Sequence, residues 1–324
     1  MVGVVNIADV ARHAGVSRST VSYVLSGKRP ISEATRERVR QSIEALAFRR
    51  DPAALALTTR RTWTVGLAAT LTPNAPKVDI VALDDFVMSI AFALRSEGYD
   101  MLLLAQQATE QIQRLQRGLL VDALIVMDVL WDEGRLPLLA RAPYPVVLMG
   151  EPGADHDLSI ADLDYQGAGR LAVEHLHALG HRRIAVVSGP QGLNSVERVE
   201  RGAAEVPDIE LTILKVWDAA PLSRRQMQLV MDSTAVVLHD QTQLPTLLHA
   251  LHQRTIAMPR DMSVIAIATE TALPEPITTV VVPVDEIAAA AVHVAIDAID
   301  GAGSQRVLLA PRLIDRGTTS ERQV

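Results

Sequence analysis

From Thr62 onward the chain alternates short apolar runs with longer amphipathic stretches, and this alternation restricts the fold more than any other feature. The runs include TVGLAA, MLLLA, ALIVM, PVVLM, RIAVVS, LTILKV, TAVVL and SVIAIA. Between them lie stretches such as DDFVMSIAFALRSEG, DYQGAGRLAVEHLHALG, LPTLLHALHQR and DEIAAAAVHVAIDAIDG, whose apolar residues recur at helical spacing. A strand buried on both faces needs a nearly continuous apolar run, and its parallel neighbour needs a crossover long enough to hold a helix. The pattern predicts an α/β region with parallel sheets. Two such sheets side by side make a bilobed domain whose central cleft is a usual place for a small ligand.

The first sixty residues follow a different rule. Residues 1–61 carry a net charge of +6 and the remainder −13, although the whole chain is only −7. A basic head on an acidic body suits a DNA reader whose larger part stays off the phosphates. Ile7, Val10, Ala11 and Ala14 form the stripe of a short amphipathic helix, and Gly15 follows where a tight turn needs no Cβ. Ser17 stands as the N-cap of a second helix with Val21, Val24 and Leu25 facing inward. Two helices joined by so short a turn predict an all-α helix-turn-helix headpiece, whose second helix enters the major groove. Arg18, Ser19, Ser22 and Tyr23 face outward there, and all can hydrogen-bond base edges or phosphates. Ser32 caps a third helix with Val39, Ile43 and Leu46 on its core face.

The string IADVARHAGVSRSTVSYVLSGKRPISEATRERVRQSIEALAF resembles the headpiece of the lactose-repressor (LacI/GalR) family without gaps, and RRDPAALALTTRRTWTVGL resembles that family's hinge helix. The resemblance implies a headpiece at 1–50, a hinge helix at 51–61 and a core at 62–324 shaped like a periplasmic binding protein. It divides the core into one lobe of residues 62–161 and 283–311 and another of 162–282 and 312–324. It implies that Arg18 and Ser19 touch base edges and that Asn6, Ser17, Thr20, Ser22, Ser32 and Thr35 hold phosphates. Leu57 matches a leucine that wedges into the minor groove, and Ala54 the small residue that admits the hinge to its floor. Tyr23 stands where the family has a guanine-reading arginine, Phe48 where a tyrosine is common, and Asp51 where an asparagine is common. The implied partners are double-stranded operator DNA, a second copy of the chain through the helix near residues 85–97, and a sugar-like effector.

The core resemblance runs through DALIVMD, PVVLMGEP, the stretch 162–190, MPRDMSVIAIA, PITTVVVP and APRLIDRGTTS, but its effector positions depart from the pattern. Val199 replaces a ligand-gripping arginine, Ala268 an acidic residue, and His239-Asp240 an Asn-Asp pair. The stretch 203–233 is short and the loop 71–84 long for the family. The resulting expectation is a cleft lined by the loop 70–85, with Thr70 and Asp84, and by Arg198, His239 and Asp240. Such a cleft holds a changed effector; the alternative is a repressor that has lost its ligand.

Other classes find little support. The chain has no cysteine, so disulfides and thiolate chemistry are excluded. His175, His177 and His181 do not have metal-ligand spacing, GPQGLN is neither a P-loop nor a dinucleotide fingerprint, and Ser188 and Ser195 lack a nucleophile-elbow context. No metal, cofactor or catalytic set is expected. The N-terminus shows no signal-peptide pattern and no apolar run is long enough for a membrane span, which predicts a cytoplasmic protein. No leucine-heptad tail follows Arg316, which argues against a tetramer.

Overall fold

The computed structural model describes residues 5–26, 29–48, 61–69, 80–104, 120–189, 191–216, 222–239, 243–269, 273 and 275–322. They fall into two compact units, Met1–Thr62 and Trp63–Val324.

In the first unit, helices α1 (Ile7–Ala14), α2 (Arg18–Ser26) and α3 (Glu33–Ala45) enclose a small core. Val10, Ala11, Ala14, Val21 and Val39 are buried there, with Val24, Leu25, Ile43, Leu46 and Phe48 packed around them. Asn6 and Asp9 cap the start of α1 reciprocally, each side chain accepting from the other residue's amide. Gly15 ends α1 in the left-handed region at φ 65°, as the short turn into α2 requires. The His13 ring lies 3.0 Å from Ser42 Oγ and ties α1 to α3.

The second unit contains two six-stranded sheets, one in the order β11-β5-β4-β3-β1-β2 and the other β12-β10-β9-β8-β6-β7. The first comprises β1 (Thr64–Ala68), β2 (Asp100–Leu104), β3 (Ala123–Val126), β4 (Val146–Leu148), β5 (Ser159–Leu163) and β11 (Arg306–Leu309). The second comprises β6 (Arg183–Ser188), β7 (Glu210–Lys215), β8 (Ala235–Leu238), β9 (Ser263–Ala268), β10 (Thr278–Val281) and β12 (Arg312–Ile314). All pairings are parallel except β10 with β12. The inner strands β3, β4, β8, β9 and β10 are buried at every residue, as their apolar runs demand. The chain crosses between the sheets after β5, after β10 and after β11, so each sheet is the centre of one lobe.

The remaining helices are α4 (Ile80–Ser96), the short α5 (Leu136–Leu139), α6 (Tyr165–Ala178), α7 (Asn194–Ala204), α8 (Arg224–Asp232), α9 (Leu244–Gln253) and α10 (Val284–Ile299). The first of these corrects an expectation: residues 80–85 are helical rather than part of a loop ending at Asp85. Asp84 and Asp85 therefore sit within the helix instead of marking its start. Helices α6 and α7 touch backbone to backbone. A Cβ on Gly202 would lie 1.8 Å from the Gln166 carbonyl oxygen, and one on Gly169 would lie 2.2 Å from that of Val199.

Candidate nucleic-acid interface and effector cleft

On α2 the burial alternates as a groove-entering helix requires: Val21 is fully buried, whereas Arg18, Ser19 and Ser22 are exposed and Tyr23 is half-buried. Three of the residues expected at phosphates, Asn6, Ser17 and Ser32, are also helix caps. Asn6 Oδ1 accepts from the amides of Ala8 and Asp9 at 2.8 and 3.3 Å, which leaves its NH2 free to donate outward. Ser17 Oγ accepts from the Thr20 amide at 3.1 Å and meets the Ser19 and Thr20 hydroxyls at 2.8 Å. Ser32 Oγ accepts from the Thr35 amide at 3.4 Å and lies 2.9 Å from the Thr35 hydroxyl. Exposed donors at the N-termini of helices are suited to anions, because the unpaired amides and the helix dipole favour negative charge. Ala54 and Leu57 lie outside the described residues.

One residue beside this face, Arg29, was not expected there. The guanidinium of Arg29 sits 4.9 Å from the centre of the Tyr23 ring, so an exposed cation adjoins the position where the expected arginine is missing. The KRP tripeptide ahead of the third cap was the available signal.

The core residues expected at the cleft are not gathered at one point. Arg198, on α7, turns to Glu151 after β4: Nη2 lies 2.9 Å from Oε2, and Nε donates to the Glu151 carbonyl at 3.0 Å. Arg306 on β11 forks onto the same carboxylate with two donations of 2.8 Å. His239, at the end of β8, meets the Tyr165 ring edge-on at 5.8 Å. Its Nδ1 is shut off from solvent and has no hydrogen-bond partner among the described residues. Burial pushes the imidazole down to about 4, so it is neutral at ordinary pH. Asp162, on β5 and only 6% exposed, is pushed up to about 7 by burial, against a backbone hydrogen bond from Leu163 and the charge of Arg198. Asp84 is exposed on α4, while Asp85 lines an open cleft of about 410 Å³ with Ser89, Thr269, Val282, Asp285 and Arg312. Thr70 and Asp240 lie outside the described residues.

Val199 and Ala268, which replace polar ligand-binding types, are both buried. The three histidines of 175–181 diverge: His175 meets Thr319, and His181 meets Thr234 and Ser263. Among the described residues no group of three His, Asp or Glu side chains converges as a metal site. Ser188 Oγ donates to Glu200 Oε1 at 2.6 Å, a buried structural bond. No helix among the described residues is long and apolar enough to cross a membrane.

Comparison with known proteins matches these two units separately. The family described as bacterial regulatory proteins, lacI family, matches residues 6–51, and the periplasmic binding protein-like domain matches residues 173–319. The HTH-type transcriptional regulator CelR of Thermobifida fusca is 34% identical over 198 residues, covering 59% of this chain and 58% of that protein. The ribose operon repressor of Escherichia coli K12 is 28% identical over 334 residues, covering 96% and 98%. Among solved structures, the transcriptional regulator CelR in complex with cellobiose is 25% identical at a TM-score of 0.66, covering 97% of this chain and 99% of that one. The lac repressor dimer bound to operator and an anti-inducer is 22% identical at a TM-score of 0.81, covering 98% and 100%, a likeness of fold. With a headpiece of the lacI family of bacterial regulatory proteins, a periplasmic-binding-like core and similarity over nearly its whole length to the ribose operon repressor, the chain is a DNA-binding transcription regulator.

Proposed function

We propose that the protein is a cytoplasmic repressor that binds a pseudo-palindromic operator as a homodimer, its affinity set by a small molecule in the core. The observation that carries the DNA reading is the exposed row Arg18, Ser19 and Ser22 on a helix anchored by the buried Val21. Arg18 and Ser19 read base edges, with Tyr23 and the stacked Arg29 beside them. Asn6, Ser17, Thr20, Ser22, Ser32 and Thr35 hold phosphates, which fix register and make affinity fall with salt. Leu57 wedges the centre of the operator, with Ala54 against the groove floor. Met88 and Phe92, 51% and 61% exposed and one turn apart on α4, offer a second copy an apolar face. The protein performs no turnover.

The effector differs from the sugars of relatives such as CelR, because apolar Val199 and Ala268 offer no partner to a hydroxyl at their positions. The same observation supports a second reading, a repressor insensitive to ligand. A melting panel of the full chain against sugars, sugar phosphates, nucleosides and polyols separates the two, since a ligand of the native state raises the melting temperature.

The DNA reading is tested by selecting operators from random duplexes and then measuring Arg18→Ala on the winner. The expected loss is about 1–3 kcal/mol, with relaxed preference at one base pair of each half-site. A wild-type protein that selects no sequence, or an Arg18→Ala protein with unchanged preference, overturns the assignment.

A further inference from the structure

The two lobes of the core are joined across the C-terminal ends of their strands by the chain's own groups. After β3, residues 129–131 run antiparallel to residues 192–194, which follow β6 in the other sheet, with Leu130 opposite Leu193. The Trp131 amide donates to the Gly192 carbonyl at 2.9 Å, and the Asn194 amide donates to that of Val129 at 3.1 Å. The loop that carries Trp131 is stiffened from within. Glu133 is buried, accepts from the Leu130 amide at 3.2 Å and pairs with Arg135.

Next to this bridge, the side chains of Arg198 and Glu151 are only 16% and 17% exposed, so their ion pair is poorly screened. Removing the Glu151 carboxylate takes away the counter-charge of the shielded Arg198. Trp131 lies under two cations, with the Arg201 guanidinium 4.0 Å and that of Arg198 5.5 Å from its ring centre. Two glycines permit the approach. Gly150 adopts φ 138°, and a Cβ there would lie 2.6 Å from Val129 Cβ; a Cβ on Gly153 would lie 2.4 Å from Trp131 Cε2.

In open α/β sheets, ligands bind in the crevice beyond the carboxyl ends of the strands. A ligand that closes two lobes does so by touching both. Here the lobes touch each other there directly. We infer that the 129–131 bridge to 192–194, the Arg198–Glu151 pair and the stacked Trp131 form a latch that holds the core closed without any ligand. The resting state of this regulator is then the closed one, and its DNA affinity changes when the latch is released. This inference rests on the reading of the core as the controller of DNA binding. It differs from simple ligand-driven closure because a ligand acts here by competing with contacts already made.

The test uses the full-length protein, carrying Trp131→Ala with Glu151→Gln. Hydrogen exchange is followed at the amides of residues 131 and 194 and at strands β3 and β9, alongside affinity for the selected operator. In the wild type the two bridge amides are protected. In the variant they exchange at least about tenfold faster, while the strands keep their protection. Operator affinity then shifts by about fivefold or more, the lower end of ordinary allosteric coupling. If the variant melts without cooperativity, Arg201→Gln, which removes an exposed stacking partner, gives the same comparison at about twofold. Bridge amides already unprotected in the wild type overturn the latch. Faster exchange with unchanged operator affinity overturns its regulatory role. A wild type that selects no operator sinks the DNA reading instead, and leaves the exchange result to decide the latch alone.

Discussion

The headpiece and the core use the same kinds of residue in opposite ways. In the headpiece, Ser17 and Ser32 work within three residues of where they stand, each capping its own helix while presenting a hydroxyl outward. In the core, Arg198 finds its partner Glu151 47 residues away, across the gap between two sheets. A local role survives in the pattern of a short string. A partnership between distant residues exists only once the fold has formed. The headpiece can therefore be changed one residue at a time, whereas the core responds as a unit.

The largest break in that contrast comes from Gly202→Ala. The added methyl would fall 1.8 Å from the Gln166 carbonyl oxygen and 3.0 Å from the Arg170 amide, neither of which moves without parting α6 from α7. The expected cost is about 5 kcal/mol, at the extreme end of single substitutions. Calorimetry of the full chain would show the main transition falling by roughly 10 °C or more. A drop of only a degree or two would mean that α6 and α7 do not touch this closely.

This closeness also marks what was legible beforehand. The apolar runs located eight strands, six of them inner strands buried on both faces and two, β2 and β7, at sheet edges. β5 was not among them, since SIADL carries Ser159 and Asp162 among its apolar residues, although all five are buried. The helical spacing of SVERVERG was legible, but its placement was not: Val196 and Val199 are buried, and Glu200 is bonded to Ser188. The headpiece helices and the caps at Ser17 and Ser32 followed from spacing and cap chemistry alone, whereas the reciprocal cap of Asn6 and Asp9 was not foreseen. In the effector region, the apolar types at 199 and 268 were legible as departures from the resemblance, and both are buried. Nothing local to Trp131, Glu151 or Arg198 revealed that they meet.

Asp162→Asn sharpens the comparison through pH. The carboxyl has an ordinary value of 3.8 and is pushed to about 7 in the folded core, mainly by burial, with Glu151 adding to the rise and Arg198 opposing it. The unfolded chain therefore releases this proton first. The wild-type core loses stability as pH rises from about 4 to about 7, and stays at the lower level above that. Asparagine cannot ionise, so the variant gains on the wild type by about 2–4 kcal/mol at pH 8 and by little at pH 4. Urea midpoints at the two pH values check this. An equal difference at both would mean that Asp162 is solvated in the native state. In the headpiece the buried polar side chain among the described residues is Ser42, which does not titrate, so no matching slope is expected there.

The smallest effect is the most discriminating, because at Ser32 fold and function can be separated by two substitutions. Ser32→Ala removes the acceptor for the Thr35 amide and should cost the headpiece about 1 kcal/mol. Ser32→Asp keeps an acceptor at the cap and adds a charge that the helix N-terminus favours, so headpiece stability holds. At a phosphate, however, that carboxylate repels. Operator affinity should fall further for Asp than for Ala, by about tenfold at low salt, and the gap should narrow as salt rises. If Ser32→Asp bound operator as tightly as the wild type, Ser32 would be a cap and nothing more. No such pair of substitutions exists for Arg198, whose removal disturbs lobe contact and candidate ligand site together.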